Sequence, residues 1–133
     1  MRHALTAALV LGALVAGCGG DTDETDAKTT VRQFFSAIQK RDATKLCDDL
    51  LTKDFIEEST GATGDRAGEE CRSQFKNLRA ANVKLAKVDQ VKIDGDNATV
   101  TATVEAQGQT RPQVFRLKKE DGAWRLAGGG ASQ

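Results

Sequence analysis

The sequence contains no tyrosine and only one histidine, one tryptophan and one proline. A metal site built on imidazoles needs several histidines, so no metal is expected. A tyrosine acid or nucleophile has no candidate. An excess of one charge sign is missing too: 19 Lys and Arg stand against 19 Asp and Glu, a formal net charge of zero. Domains that bind nucleic acid are usually strongly basic, so no nucleic-acid partner is expected. The most apolar stretch, Ala4 to Val15, is interrupted by Thr6 and Gly12. It falls short of the roughly 20 residues that a spanning helix needs. What remains is 133 residues with 39% hydrophobic and 29% charged side chains, the size and balance of one globular domain.

Arg2 and His3 form a short basic region ahead of the apolar stretch, the arrangement of a secretory signal. Leu14-Val15-Ala16-Gly17-Cys18 then resembles the lipobox of bacterial lipoproteins. That resemblance implies cleavage between Gly17 and Cys18 and a diacylglyceryl group on the Cys18 thiol. The plainer alternative is an ordinary cleavage site with a free Cys18. Residues 1–17 are thus expected to be a signal peptide, which removes His3. The exported chain then has no imidazole for general-base work and no Ser-His or Cys-His pair. Residues 19–26 hold four acids and no apolar side chain, so residues 18–26 are predicted to be a lipidated cysteine on a flexible tether.

Helical spacing opens the foldable part, residues 27–127. Val31, Phe34, Phe35 and Ile38 fall at i, i+3, i+4 and i+7, with Thr25 or Asp26 as caps. Asp42 is placed to cap a second helix, whose apolar stripe is Leu46, Cys47, Leu50 and Leu51. Thr52 heads a short turn with Phe55 and Ile56, and residues 59–68 read as a loop. A third helix is predicted over 69–81, with Cys71, Phe75 and Leu78 on one face. From Val83 the period is two. The alternation of Val83 to Ile93 breaks near Ala86, which predicts a bulge. Asp94-Gly95-Asp96-Asn97 is a hairpin turn. Ala98, Val100, Ala102, Val104 and Ala106 alternate with Thr99, Thr101, Thr103 and Glu105 as a second strand. Third and fourth strands are predicted over 113–119 and 124–126, and residues 128–133 as a frayed tail. Helices followed by antiparallel strands predict an α+β class: three N-terminal helices packed on a curved four-stranded sheet.

Several of these pieces fall in a familiar order. They are Val31-Arg32-Gln33-Phe34-Phe35 with Ala37-Ile38, the helix Asp42 to Leu51, and the Cys47/Cys71 pair. Asp94-Gly95-Asp96-Asn97-Ala98-Thr99-Val100 and Gly122-Ala123-Trp124-Arg125-Leu126 follow. The series resembles the nuclear transport factor 2-like superfamily, in particular small bacterial lipoproteins carrying that domain. The resemblance implies a cone with a hollow at its wide end. It also implies kinship with isomerases and dehydratases that place Asp, Tyr or His in the cone. Here only a carboxylate is available, and Asp89 is the one acid read as inward-facing.

Cys47 and Cys71 are an even pair in an exported chain and lie on the apolar faces of successive predicted helices, so a disulfide is expected. Two buried thiols are the alternative; a redox pair would want Cys-x-x-Cys spacing or a nearby His. Asp48-Asp49 and Glu57-Glu58 lack an Asp-x-Asp-x-Asp-Gly loop and read as a solvated face rather than a calcium site. Phe34, Phe35, Ala98, Ala102 and Trp124 line the cone in this reading, either as packed core or as a hollow for a small apolar ligand. Residues 18–71 carry 13 acids and 7 bases, and residues 72–133 carry 6 acids and 11 bases. Lys84, Lys92, Arg116, Lys118 and Arg125 can therefore present a basic sheet face to an anionic headgroup, wall polymer or acidic partner. The plainer reading is a solvated face.

The expected function is a membrane-anchored, extracytoplasmic lipoprotein that is not an enzyme. It would need no cofactor and would bind a small apolar ligand or an envelope protein. The alternative is an isomerase or dehydratase using a carboxylate in the cone.

Overall fold

The computed structural model describes residues 19–77 and 82–131. The expected signal peptide, the expected cleavage position at Gly17–Cys18 and the expected lipidation site Cys18 lie outside these residues, as do Leu78 and the last two positions.

Ala27, Val31 and Phe35 recur every fourth residue, a spacing that stacks them on one helical face. They are buried along α1 (Gly19–Lys40) together with Ala37. The acidic stretch predicted to be a tether is instead the first turns of this helix. Its register explains why: Asp23 lies four residues before Ala27 and so faces the sheet, where it meets Lys119 and Trp124. Asp42 caps the next helical turn as predicted, its Oδ1 accepting from Lys45 N at 3.0 Å. That turn runs into a π-helix, Lys45–Leu50, rather than a regular α-helix. Leu46, Cys47, Leu50 and Leu51 are all buried. Thr52 Oγ1 accepts from Phe55 N and opens α2 (Lys53–Thr60), a full helix where a short turn was predicted. Gly61, at φ 74°, closes it in a left-handed cap. α3 (Asp65–Asn77) begins inside the predicted loop.

The sheet is a meander in the order β1 (Val83–Asp94), β2 (Asn97–Ala106), β3 (Gln109–Glu120), β4 (Ala123–Ala131). The predicted hairpin pairs Asp94 with Asn97. Register shifts fall between Leu85 and Lys87, where the bulge was predicted, and again between Val88 and Gln90. Such extra residues bend a strand and raise its twist. β2 buries Ala98, Val100, Ala102 and Val104 on one face. Across the rungs Val100 meets Phe115 and Ala98 meets Leu117.

The tail expected to fray is strand. Gly128, Gly129 and Gly130 pair with Arg116, Phe115 and Val114. The glycines are there for closeness: a Cβ on Gly129 would lie 3.0 Å from Phe115 Cδ1, so the ring needs a bare backbone beside it. Leu51 forms a parallel bridge to Leu126, and Thr52 N donates to Leu126 O at 2.9 Å. The chain leaving the π-helix therefore covers the free edge of β4. α1 lies over β1 and β2 and reaches β4.

Candidate functional site

The residues expected to line the cone come together. Phe35, Ala98, Ala102 and Trp124 are buried in one continuous apolar cluster, and Phe34 is half-buried against it. Phe35 meets Phe115 edge-on at 5.7 Å between centroids, and Phe34 meets Phe35 edge-on at 5.4 Å. Such geometry sets the positive ring edge on the negative face. Ala98 and Ala102 are small where α1 and β2 approach, which suits the packed alternative at those positions. The inward side of β1 differs. Val83, Leu85, Val88, Val91 and Ile93 pack on the cluster yet stay half-buried, as do Phe34 and Phe75. This is an apolar wall, the kind of surface that takes an apolar ligand.

At the opposite margin Asp23 Oδ1 accepts from Lys119 Nζ at 2.8 Å and from Trp124 Nε1 at 3.4 Å. Lys119 Nζ also stands 5.3 Å from the Trp124 ring centroid. The Lys119 hydrogen bond, with its charge, holds the Asp23 carboxyl below the usual 3.8. The same bond pushes Lys119 above 10.5. Thr30 Oγ1, within hydrogen-bond reach of Trp124 O at 3.2 Å, ties the same helix to β4. The sequence carried a signal for this cluster: Asp23 continues the four-residue spacing of Ala27, Val31 and Phe35 back by one turn.

The sign of the pH effect follows. Asp23 is lowered, so its stabilisation is complete above the unfolded carboxyl value and fades as pH falls through the lower folded value. Lys119 is raised, so its share is complete below 10.5 and fades as pH rises past the higher folded value. Asp23→Asn is therefore expected to lower stability near neutrality and to approach wild type as pH falls through the lowered folded value. Urea midpoints across pH check this; a constant offset down to pH 2 would refute the pairing.

Cys47 in the π-helix and Cys71 in α3 are joined, with S–S 2.09 Å and Cα–Cα 6.0 Å. The neighbouring Asp48 was read as solvated but is engaged twice. Its carboxylate accepts from Arg72 Nη1 at 2.6 Å and its backbone carbonyl from Arg125 Nη1 at 2.6 Å. The second bond has a local cause. Lys53 N, which would continue the i→i+5 ladder to Asp48 O, donates to the Glu120 carboxylate instead, at 3.3 Å. Asp48, Lys53, Asp65, Arg72, Glu120 and Arg125 line an open polar cleft of about 610 Å³. Among the described residues no cluster of His, Cys, Asp or Glu is arranged for a metal ion.

Asp89 does not face inward. It sits at the second register shift of β1, exposed, with Oδ2 accepting from Thr103 Oγ1 at 2.8 Å and Oδ1 3.3 Å from Lys87 Nζ. The shift rotates it to the outer face. Its hydrogen bond from Thr103, helped by Lys87, lowers its pKa, which suits an ionised surface carboxylate.

No family profile matches this sequence, and no curated protein does. Solved structures do. A SEC-C motif containing protein from Rhodopseudomonas palustris aligns with a TM-score of 0.54 at 14% identity, over 83% of this chain and 81% of the other. A protein assigned as a ketosteroid isomerase, from Kribbella flavida, aligns at 0.52 and 17% identity, over 84% and 81%. An LEH-like epoxide hydrolase from M. tuberculosis aligns at 0.51 and 18% identity, over 79% of each chain. At these identities the likeness shows the fold: helices on a four-stranded antiparallel sheet, of the nuclear transport factor 2-like type. It also overturns the expectation that the chain is not an enzyme. Enzymes are built on this fold, so the architecture is as much theirs as that of a binding module.

Proposed function

We propose that this protein is a lipid-anchored, extracytoplasmic lipoprotein whose nuclear transport factor 2-like domain receives a small apolar ligand. The half-buried wall of Val83, Leu85, Val88, Val91 and Ile93 carries the ligand reading. A packed interior would have buried those side chains as fully as it buries Val31 and Val100. The anchor is supported by the Leu14-Val15-Ala16-Gly17-Cys18 sequence, and export by the Cys47–Cys71 bond, since disulfides persist in oxidising compartments. A diacyl anchor supplies the two chains that stable attachment takes. With no tyrosine in the chain and its one histidine in the leader, proton transfer on a bound ligand would fall to Asp or Glu.

Detergent-phase partitioning tests the reading. Wild-type protein expressed in a bacterial host is expected in the detergent phase with an intact mass that includes the thioether lipid. Cys18→Ala is expected to retain its leader and carry no lipid mass. Native mass spectrometry of the same detergent-phase sample reads any retained ligand. An unmodified mature N-terminus downstream of Cys18 would refute the anchor, and unchanged mass after incubation with a panel of apolar small molecules would refute the ligand site.

A further inference from the structure

Lys92, Arg116 and Lys118 are exposed on the outer face of the sheet. Among the described residues none of them makes an ion pair or a side-chain hydrogen bond. The strand register sets them together. One rung reads Lys92, Thr99, Arg116, Gly128, and the next Asp94, Asn97, Lys118, Arg125. With strands about 4.8 Å apart, the Lys92 and Arg116 backbones lie roughly 10 Å apart, and Lys118 about 7 Å further along β3.

The surface between them is low and neutral. Thr99 and Asn97 separate the cations, and Gly128 has no side chain. The Arg116 guanidinium lies over that glycine: a Cβ there would come within 2.5 Å of Nη2. The opposing charges are few. Asp94 shares a rung with Lys118, Asp96 sits in the adjoining turn, and Glu120, two residues beyond Lys118, is turned to Lys53 N and Arg125. Farther down the face Lys87 is matched by Asp89, and Lys84 lies opposite Glu105. Arg125 is turned away to Asp48 O and Lys119 to Asp23.

Where the chain enters the fold supplies a second observation. α1 begins at Gly19, and Asp23 in its first turns holds Lys119, the neighbour of Lys118. The start of α1 therefore lies at the end of the sheet that carries the three cations, on its helix-bearing face. We propose that these two rungs form a docking surface for an anionic phospholipid leaflet, which lays the sheet's outer face on the membrane. The proposal rests on the lipid anchor described above. Phosphodiester oxygens accept charge-assisted bonds from Arg and Lys. Each cation near an anionic leaflet raises partitioning about fivefold. Self-pairing of the face is disfavoured, because a twofold contact sets the same cations against themselves.

The test uses the mature full-length protein and Lys92→Glu/Arg116→Glu/Lys118→Glu, mixed with vesicles of phosphatidylcholine alone or with added phosphatidylglycerol. Wild type is expected to favour the anionic vesicles by on the order of a hundredfold, from three cations at about fivefold each. The triple variant is expected to lose that preference, as is wild type at about 1 M salt, where the Debye length falls to roughly 3 Å. A Gln triple, closer in shape, is expected to lose it too and guards against misfolding of the Glu variant. Equal partitioning of wild type and both variants onto anionic vesicles would overturn the proposal. So would tighter capture by soluble polyphosphate than by the vesicles, or a wild-type dimer by light scattering that the triple variant abolishes. Binding to phosphatidylcholine alone reads the lipid anchor separately: its loss with the anionic preference intact would refute the anchor and leave the docking surface.

Discussion

Phe115→Ala is expected to lower the unfolding free energy by about 3–5 kcal/mol, the range for deleting a buried aromatic. The ring is 4% exposed and sits edge-on to Phe35 and tilted to Phe34. The size of the loss depends on whether neighbours can collapse into the space left behind. Here they are poorly placed to do so. Gly129 on β4 has no side chain to offer, and Val100, the β2 partner, is stiff at χ1. The effect should therefore fall toward the upper end of the range. Urea unfolding reads it as a lower midpoint with an unchanged slope. Phe34→Ala, at a half-exposed ring, should lose clearly less. Equal losses at the two positions would contradict the packing described.

Removing both half-cystines, in Cys47→Ala/Cys71→Ala, is expected to destabilise by about 3 kcal/mol, from the entropy regained by the unfolded loop. The residues joined are 24 apart in sequence. The Asp48–Arg72 ion pair spans the same two elements but does not replace the bond. Its side chains are 41% and 31% exposed, and pairs so placed contribute about 0–1 kcal/mol. Against a typical domain stability of about 5–15 kcal/mol, the staple is a large share. Wild type in reductant should approach the double variant, and amides of α3 should lose exchange protection before those of β2. Unchanged stability of the double variant would show that the bond constrains nothing.

How much of this was legible differs by element. β2 was read correctly because one face is buried and the other wet, so Ala98 to Val104 alternate with threonines and a two-residue period has no competitor. The Asp94–Asn97 turn and the bulge at Ala86 were legible for the same local reason. The Cys47–Cys71 pairing was legible because both residues fell on apolar helical faces. The clusters around the candidate site were harder. Asp48 reads as one of an acidic doublet until Arg72 and Arg125 converge on it from α3 and β4. Asp89 has inward parity only in a strand without its second register shift.

By itself the sequence determined the order of helices and strands, the inward faces of α1 and β2, the hairpin and the two half-cystines that bond. Each of these is written in residue spacing or in turn chemistry within a few positions. Tertiary structure decided that an acidic stretch starting at Gly19 is helix, that a glycine-rich tail is a strand, and that the segment through Cys47 winds as a π-helix. Those choices depend on groups far along the chain: Lys119 for Asp23, the Phe115 ring for Gly129, Arg125 and Glu120 for the end of the π-helix. Local propensity opposes or ignores each of them. Burial and charge pairing with a distant partner outweigh it once the sheet is assembled.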